Sequence, residues 1–326
     1  MSPNHPKPAP NYAVLSGGIG GAKLVVGLRQ VLADGQLQVI ANTGDDFEHL
    51  GLPISPDIDT LIYSLAGIAN PETGWGLRDE SWQFMDALAG LGGPDWFRLG
   101  DRDLATHIRR RELLAQGCTL SETTRRLAQA HGVHVPVWPM SDTPVRTVVE
   151  TAGGPLEFQD YFVRQQAQPV ITGLRYGGIE AARPSPGALQ ALAAAASGAI
   201  ILTPSNPWLS IDPILSVPGI KATISTSKAP VVAVSPIVKG AAIKGPTAKL
   251  MRELGIEPSV LSIAAHYRDI LDGLVIDTQD RAQQDAIEDM GIRVHISNTV
   301  MRDLADKVAL AQQVLDFATR MRAAKS

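Results

Sequence analysis

One cysteine, Cys118, stands in 326 residues. An intramolecular disulfide and a cysteine-based metal cluster are thereby excluded, and a reducing, cytoplasmic setting fits. No uninterrupted apolar stretch of about twenty residues occurs, which argues against a membrane span. The most apolar segment, Ala188–Leu202, is broken by Gln190, Ser197 and Gly198 and reads as a helix running into a core strand. Positive charge is not in excess: 29 Lys and Arg stand against 33 Asp and Glu, a formal charge of −4. That balance speaks against an electrostatic grip on nucleic acid or on an anionic membrane. A Ser-centred nucleophile elbow, an H-E-x-x-H motif and a spaced Cys/His set are all missing, and the seven histidines are scattered. No repeat of about twenty to fifty residues is present.

What is there describes a globular chain, 44% hydrophobic and 19% charged, long enough for one large α/β domain. Four prolines within residues 1–11 and no apolar signal core mark a disordered tail. Residues 12–326 are then a single domain. Short apolar runs at Tyr12–Ser16, Gln38–Asn42, Ala199–Thr203, Val231–Ser235, Leu274–Asp277 and Arg293–Ile296 read as strands buried on both faces. Helical patterns cover Ala22–Leu32, Pro246–Leu254, Gln279–Met290 and Val300–Arg322. The fold class is α/β, a Rossmann-like, largely parallel doubly wound sheet. Residues 60–180 read as a helical and hairpin elaboration: helices over Asp101–Gln116 and Ser121–Ala130, N-capped by Asp101 and Ser121, then a hairpin over Thr147–Glu150 and Leu156–Gln159.

Three places carry chemistry. Ser16-Gly17-Gly18-Ile19-Gly20-Gly21-Ala22-Lys23 joins a strand to a helix, and its glycines admit a phosphate close to the helix N-terminus. It fits neither dinucleotide nor Walker fingerprint, because Lys23 stands where glycine would be needed and Leu24 where Ser or Thr would be. Next come the acids Asp45, Asp46, Asp57 and Asp59. In extended backbone Asp57 and Asp59 face one side, and convergent carboxylates suit Mg²⁺. The plain alternative makes Asp59 the N-cap of a Thr60–Gly67 helix and Asp45 and Asp46 turn residues. Third, Asp103 and His107 share a helix face beside Arg102, as an acid–base pair or a surface pair. Arg109, Arg110, Arg111, Arg125 and Arg126 read as solvated helix faces. Further loops at Met140-Ser141-Asp142, Pro204-Ser205-Asn206-Pro207, Ser235-Pro236-Ile237 and Lys244-Gly245-Pro246-Thr247 add small polar groups and a second helix start.

Taken in order, the glycine loop, Pro56-Asp57-Ile58-Asp59-Thr60, Leu99-Gly100-Asp101-Arg102-Asp103-Leu104-Ala105-Thr106-His107, Met140-Ser141-Asp142, Pro204-Ser205-Asn206-Pro207 and Ser235-Pro236-Ile237 resemble the 2-phospho-L-lactate transferases, the CofD family, from about Ala13 to about Ala318. The resemblance implies a Mg²⁺-dependent homodimer of coenzyme F420 biosynthesis. In that reaction a phosphorylated three-carbon acid, carried as a diphosphate to guanosine, passes to the ribityl hydroxyl of the deazaflavin Fo and GMP leaves. It also implies Fo contacts at Asp59 and Arg98, the latter often Lys in the family, with Asp101 and His107 in the same motif. Joined to the residue chemistry, it suggests Mg²⁺ on Asp45 and Asp59, with Asp57 as a third candidate. Phosphates would lie on Gly17, Gly18, Gly20, Gly21 and Lys23, and guanosine on Ser205 and Asn206. Asp59 is the first candidate for taking the hydroxyl proton, and Asp45 the second. The rival readings are a nucleotide-sugar-binding regulator of the related gluconeogenesis-factor group and a glycosyltransferase with Asp57-Ile58-Asp59 as its DxD motif. The first group is not expected to carry both acidic motifs together, and the second reading rests on a three-residue motif that is common by chance, with no other feature in its support.

Overall fold

A computed structural model describes residues 9–242 and 245–325. Most of the expected tail and Lys244 lie outside the described residues, while Pro10 and Asn11 are hydrogen-bonded to Gln36 and Ser197. Seven parallel strands make the central sheet: β1 (Tyr12–Ser16), β2 (Leu37–Ala41), β3 (Val137–Pro139), β4 (Ala199–Leu202), β5 (Val231–Val234), β6 (Gly273–Asp277) and β7 (Arg293–Ser297). Across the sheet they run β7-β6-β5-β4-β1-β2-β3. Each central strand sends alternate side chains to two separate cores. Tyr12, Val14, Val39 and Ile201 pack on one face, Ala13, Leu15, Ile40 and Ile200 on the other. Both faces are covered, so the strands read as unbroken apolar runs rather than as alternating ones. Each fully buried Leu, Ile or Val stabilises the layers by about 1.5–3 kcal/mol.

The helices α1 (Gly18–Val31), α2 (Pro56–Leu65), α3 (Gln83–Gly90), α4 (Asp101–Ala115) and α5 (Leu120–Ala130) precede or flank the crevice. Helix α1 begins four residues earlier than periodicity suggested, because the glycines that read as a loop form its first turn. Helix α2 likewise starts at Pro56, since proline is preorganised for the first helical position. Asp57 and Asp59 are therefore on a helix, not in extended backbone, and two residues apart they diverge by about 200°. Asp59 is inside α2 rather than its N-cap.

Two caps also fall elsewhere. Gly100, not Asp101, is the N-cap of α4. The Asp101 carboxylate instead accepts from the Gln83 and Phe84 N–H groups and so caps α3, while Glu80 accepts from the Arg102 and Asp103 N–H groups and caps α4. Thr119, not Ser121, caps α5, with Glu122 completing a capping box. Ser121 donates its N–H to Asp142, which fastens the Met140-Ser141-Asp142 turn to α5.

Within 60–180, β3 belongs to the central sheet, so the helical part and the hairpin part are separated by a sheet-edge strand. The hairpin strands, Arg146–Thr151 and Gly154–Glu157, gain a third partner in Ile171–Gly177. Between them lies a π-helical turn, Asp160–Arg164. Among the described residues, no helix is long and apolar enough to cross a membrane.

Candidate active site

The chain runs outward from β1 through β2 to β3 and then returns to the other side of β1 as β4. A reversal of this kind opens a crevice at the carboxyl ends of the two strands. The turns leaving β1 and β4 meet there. Ser205 Oγ donates to the Gly17 carbonyl at 2.6 Å and stands 2.8 Å from Thr203 Oγ1. A Cβ at Gly20 would come within 2.7 Å of the Pro204 carbonyl oxygen, and one at Gly17 within 2.8 Å of Ser210 Cβ. Glycine is needed at both positions for this close approach, whether or not a ligand is present.

The crevice widens into a cavity of about 480 Å³. Gly17, Gly18, Gly20, Lys23, Asp45, Asp57, Asp59, Arg98, His107, Ser205 and Asn206 line it, so motifs spread over almost two hundred residues converge. Gly21 and Asp101 do not line it: Gly21 packs among the Ser16, Thr203 and Ser205 hydroxyls, and Asp101 is the α3 cap. Lys23 reaches the Met301 carbonyl at 2.8 Å. Asn206 spends its carbonyl oxygen capping the turn at Trp208 and Leu209, leaving a buried Nδ2 without a hydrogen-bond partner among the described residues.

At the floor of the cavity the carboxylates form two unlike groups. Asp57 accepts from the Gly18 N–H at 2.7 Å and from Asn42 Nδ2 at 2.8 Å. The first donor that the α1 N-terminus offers is thus held by the protein's own carboxylate. Burial nevertheless raises the Asp57 pKa to about 6, against the lowering effect of those two hydrogen bonds. Burial, and then the neighbouring Asp57 charge, push Asp45 well above the usual carboxylate range. Asp45 Oδ1 has no hydrogen-bond partner among the described residues. An orphaned carboxylate oxygen beside a second, repelled carboxylate fits a hard divalent cation, and Mg²⁺ commonly takes one or two carboxylates and completes its shell with water and phosphate oxygens. Among the described residues no group of three or more His, Cys, Asp or Glu could hold a metal ion, so any cation here would rest on this pair and on ligand oxygens.

Asp59 belongs to the second group. Its Oδ1 is ion-paired with Arg110, whose side chain is 1% exposed. Arg110 is therefore not on a solvated face, as its charged neighbours suggested. It lies on the same side of α4 as Asp103 and His107, and that i, i+4, i+7 spacing was the signal available in the sequence. Tyr63, on α2, donates to Asp103 at 2.6 Å. Burial raises Asp103, but contacts from His107 and Tyr63 outweigh it and hold its pKa low.

Much of the remaining lining is apolar and aromatic. Phe158, just before the π-helical turn, and Phe162, within it, stack with centroids 5.4 Å apart and planes 9° from parallel. Trp75, 49% exposed, stands on a loop closed by the Ala69–Leu77 bridge. Phe97 and Met301 also line the cavity. Sequence reasoning missed these residues because a lone aromatic in a loop has no periodicity to read. Arg98 is half exposed, pairs with Asp86 at 2.7 Å and lies over the Trp82 ring. A surface pair of this kind is weak enough to be exchanged for a ligand.

Residues 13–315 match the family described as 2-phospho-L-lactate transferase CofD. A phosphoenolpyruvate transferase of Streptomyces griseus is 42% identical over 316 residues, covering 95% of this chain and 99% of its own. A 2-phospho-L-lactate transferase of Methanopyrus kandleri is 41% identical, covering 93% and 96%. Among solved structures, a upf0052-family protein from Bacillus halodurans superposes with a TM-score of 0.64 at 17% identity, over 94% of this chain and all of that one. At that identity the likeness concerns the fold alone.

Proposed function

The chain belongs to the 2-phospho-L-lactate transferase CofD family, and from that premise we propose that it transfers a phosphorylated three-carbon acid from a guanosine-diphospho donor to the ribityl hydroxyl of the deazaflavin Fo, in coenzyme F420 biosynthesis. The activities for which its relatives are named divide between phosphoenolpyruvate and 2-phospho-L-lactate. The proposal is therefore for the class: a phosphoenolpyruvyl, phospholactyl or 3-phosphoglyceryl donor. The observation that carries the reading is the make-up of one cavity. An acid pair beside the α1 N-terminus, suited to a cation and a diphosphate, lines the same cavity as aromatic side chains suited to a planar ring system.

In this reading Asp45 and Asp57 would hold Mg²⁺, which when bound neutralises diphosphate charge. Backbone N–H groups near Gly20 and the unpartnered Asn206 Nδ2 receive the donor's phosphate and guanosine side. Trp75 and Phe162 bear on the deazaflavin plane, and Arg98 exchanges Asp86 for an acceptor oxygen. Asp59 Oδ2, buried and without a hydrogen-bond partner among the described residues, receives the ribityl hydroxyl proton. The hydroxyl oxygen forms a new bond to the phosphorus that bears the three-carbon acid. The bond from that phosphorus to the bridging oxygen breaks, and GMP departs with the electron pair. Catalysis of this type consists of positioning and charge neutralisation, which a rigid crevice provides. The working unit is a homodimer in the cytoplasm, acting on small molecules rather than on nucleic acid or membrane.

The test is GMP release by purified protein, with and without Fo, for wild type and for Asp59→Asn. Fo-dependent release that disappears in a folded Asp59→Asn protein supports the reading. Release at near wild-type rate from that variant removes Asp59 from the chemistry.

A further inference from the structure

Arg110 is the largest fully buried side chain among the described residues, and the transfer just described makes no use of it. Its guanidinium reaches two functional groups at once. Nη2 meets Asp59 Oδ1, and Nη1 lies 3.0 Å from His107 Nδ1 and 3.3 Å from the Pro53 carbonyl. A guanidinium has donors only, so His107 Nδ1 accepts and the ring proton is on Nε2. That Nε2 is 3.4 Å from Asp103 Oδ2, too long for a strong hydrogen bond, and has no hydrogen-bond partner among the described residues. Asp59 Oδ2 is the matching case: buried, without a hydrogen-bond partner among the described residues, and 3.8 Å from His107 Nδ1, the ring nitrogen that faces Arg110. Both residues line the cavity. The result is a buried acceptor on Asp59 and a buried N–H donor on the far edge of the His107 ring, neither of them hydrogen-bonded among the described residues. These are the two functions that a hydroxyl group satisfies by donating to one and accepting from the other.

We propose that Arg110 is a positioning residue, whose single fork fixes the Asp59 rotamer and the His107 tautomer together so that Asp59 Oδ2 and His107 Nε2–H clasp the acceptor hydroxyl. This rests on the reading of Asp59 as the acceptor contact. Lysine cannot replace the fork, because an ammonium is a point donor that does not present two parallel N–H groups. A purely structural role for Arg110 would change stability, and the ring proton of His107 would have no bearing on turnover.

Two measurements on the full-length protein decide the matter. The first is the ¹⁵N spectrum of the His107 ring in wild type and in Arg110→Lys, without substrate. Wild type is expected to show an unprotonated Nδ1 and a protonated Nε2, and Arg110→Lys a mixture of tautomers. A protonated Nδ1 in wild type overturns the proposal without recourse to any variant, so a poorly folding variant does not protect it. The second is steady-state transfer. Arg110→Lys is expected to lower kcat by about ten-fold or more at an unchanged KM for the guanosine-diphospho donor. An Arg110→Lys protein with wild-type tautomer and kcat within about three-fold overturns the proposal. Absence of transfer in wild type with every donor would instead overturn the functional reading, and the ring spectrum would still decide whether Arg110 sets the tautomer.

Discussion

The Asp45–Asp57 pair makes a quantitative demand on the metal-free protein. The Asp57 carboxyl is moved from 3.8 to about 6, principally by burial. Its folded-state value lies above the unfolded one, so the folded chain holds this proton more tightly than the unfolded chain does. The stability it contributes is fully present below about pH 4 and is lost as pH rises through about 6. A displacement of that size corresponds to about 3 kcal/mol, reached once the carboxyl is ionised. A cation that binds the ionised pair offsets that loss by mass action, by about 2.7 kcal/mol at a hundred times its Kd. For a chain of this length such a figure corresponds to about 4 °C in melting temperature. The assay is thermal unfolding with chelator or with saturating Mg²⁺, at about pH 5 and about pH 8. Near pH 8, Mg²⁺ is expected to raise Tm by about 4 °C, and near pH 5 by less than half of that. Asp45→Asn, which removes the neighbouring charge, is expected to melt above wild type in chelator near pH 8 and to lose the response to Mg²⁺. An equal Mg²⁺ effect at both pH values, or an undiminished effect in Asp45→Asn, would refute the reasoning.

Three further outcomes follow from contacts already described. Gly20→Ala places a methyl 2.7 Å from the Pro204 carbonyl, and overpacking of this kind is expected to destabilise by about 1–3 kcal/mol, measured by denaturant unfolding. Trp75→Ala and Phe162→Ala each remove a ring face worth about 0.5–1.5 kcal/mol, so the KM for Fo should rise about two- to ten-fold while the donor KM stays the same. Asp101→Ala uncaps α3 without touching the cavity, so Tm should fall while kcat/KM per folded molecule is kept. A matching loss of kcat/KM would place Asp101 back among the acceptor contacts.

The sheet was legible because strands buried on both faces leave apolar runs, as β1, β2, β4, β5 and β6 do. By contrast β7, expected to be buried on both faces, is an edge strand that alternates polar and apolar residues and is exposed at Arg293 and half-buried beyond it. The remaining strand, β3, is three residues long, ends in Pro139 and lies at the other sheet edge. A strand paired on one side needs little apolar sequence, and proline is tolerated there. The glycine segment misled in the other direction: permissive residues suggest a loop, yet here they tolerate close packing on the β4 turn while forming the first turn of α1. At the site, the acidic motifs were visible as clusters of like charge, but their division was not. Whether Asp57 and Asp59 share a ligand or diverge depends on the backbone between them, and Pro56 at the helix start decides it. Arg110 was hidden among Arg109 and Arg111 because only the direction of α4 distinguishes a buried arginine from two solvated neighbours.

The most direct test of the proposed transfer is the mass of the product. Purified protein, Fo and Mg²⁺ are incubated with each guanosine-diphospho three-carbon acid in turn, and Fo and GMP are followed by mass spectrometry. The expected result is a mass gain on Fo equal to the phosphorylated acid residue, matched mole for mole by GMP, with one donor preferred. A folded protein that neither modifies nor binds Fo with any donor, while still binding guanosine nucleotide, would contradict it.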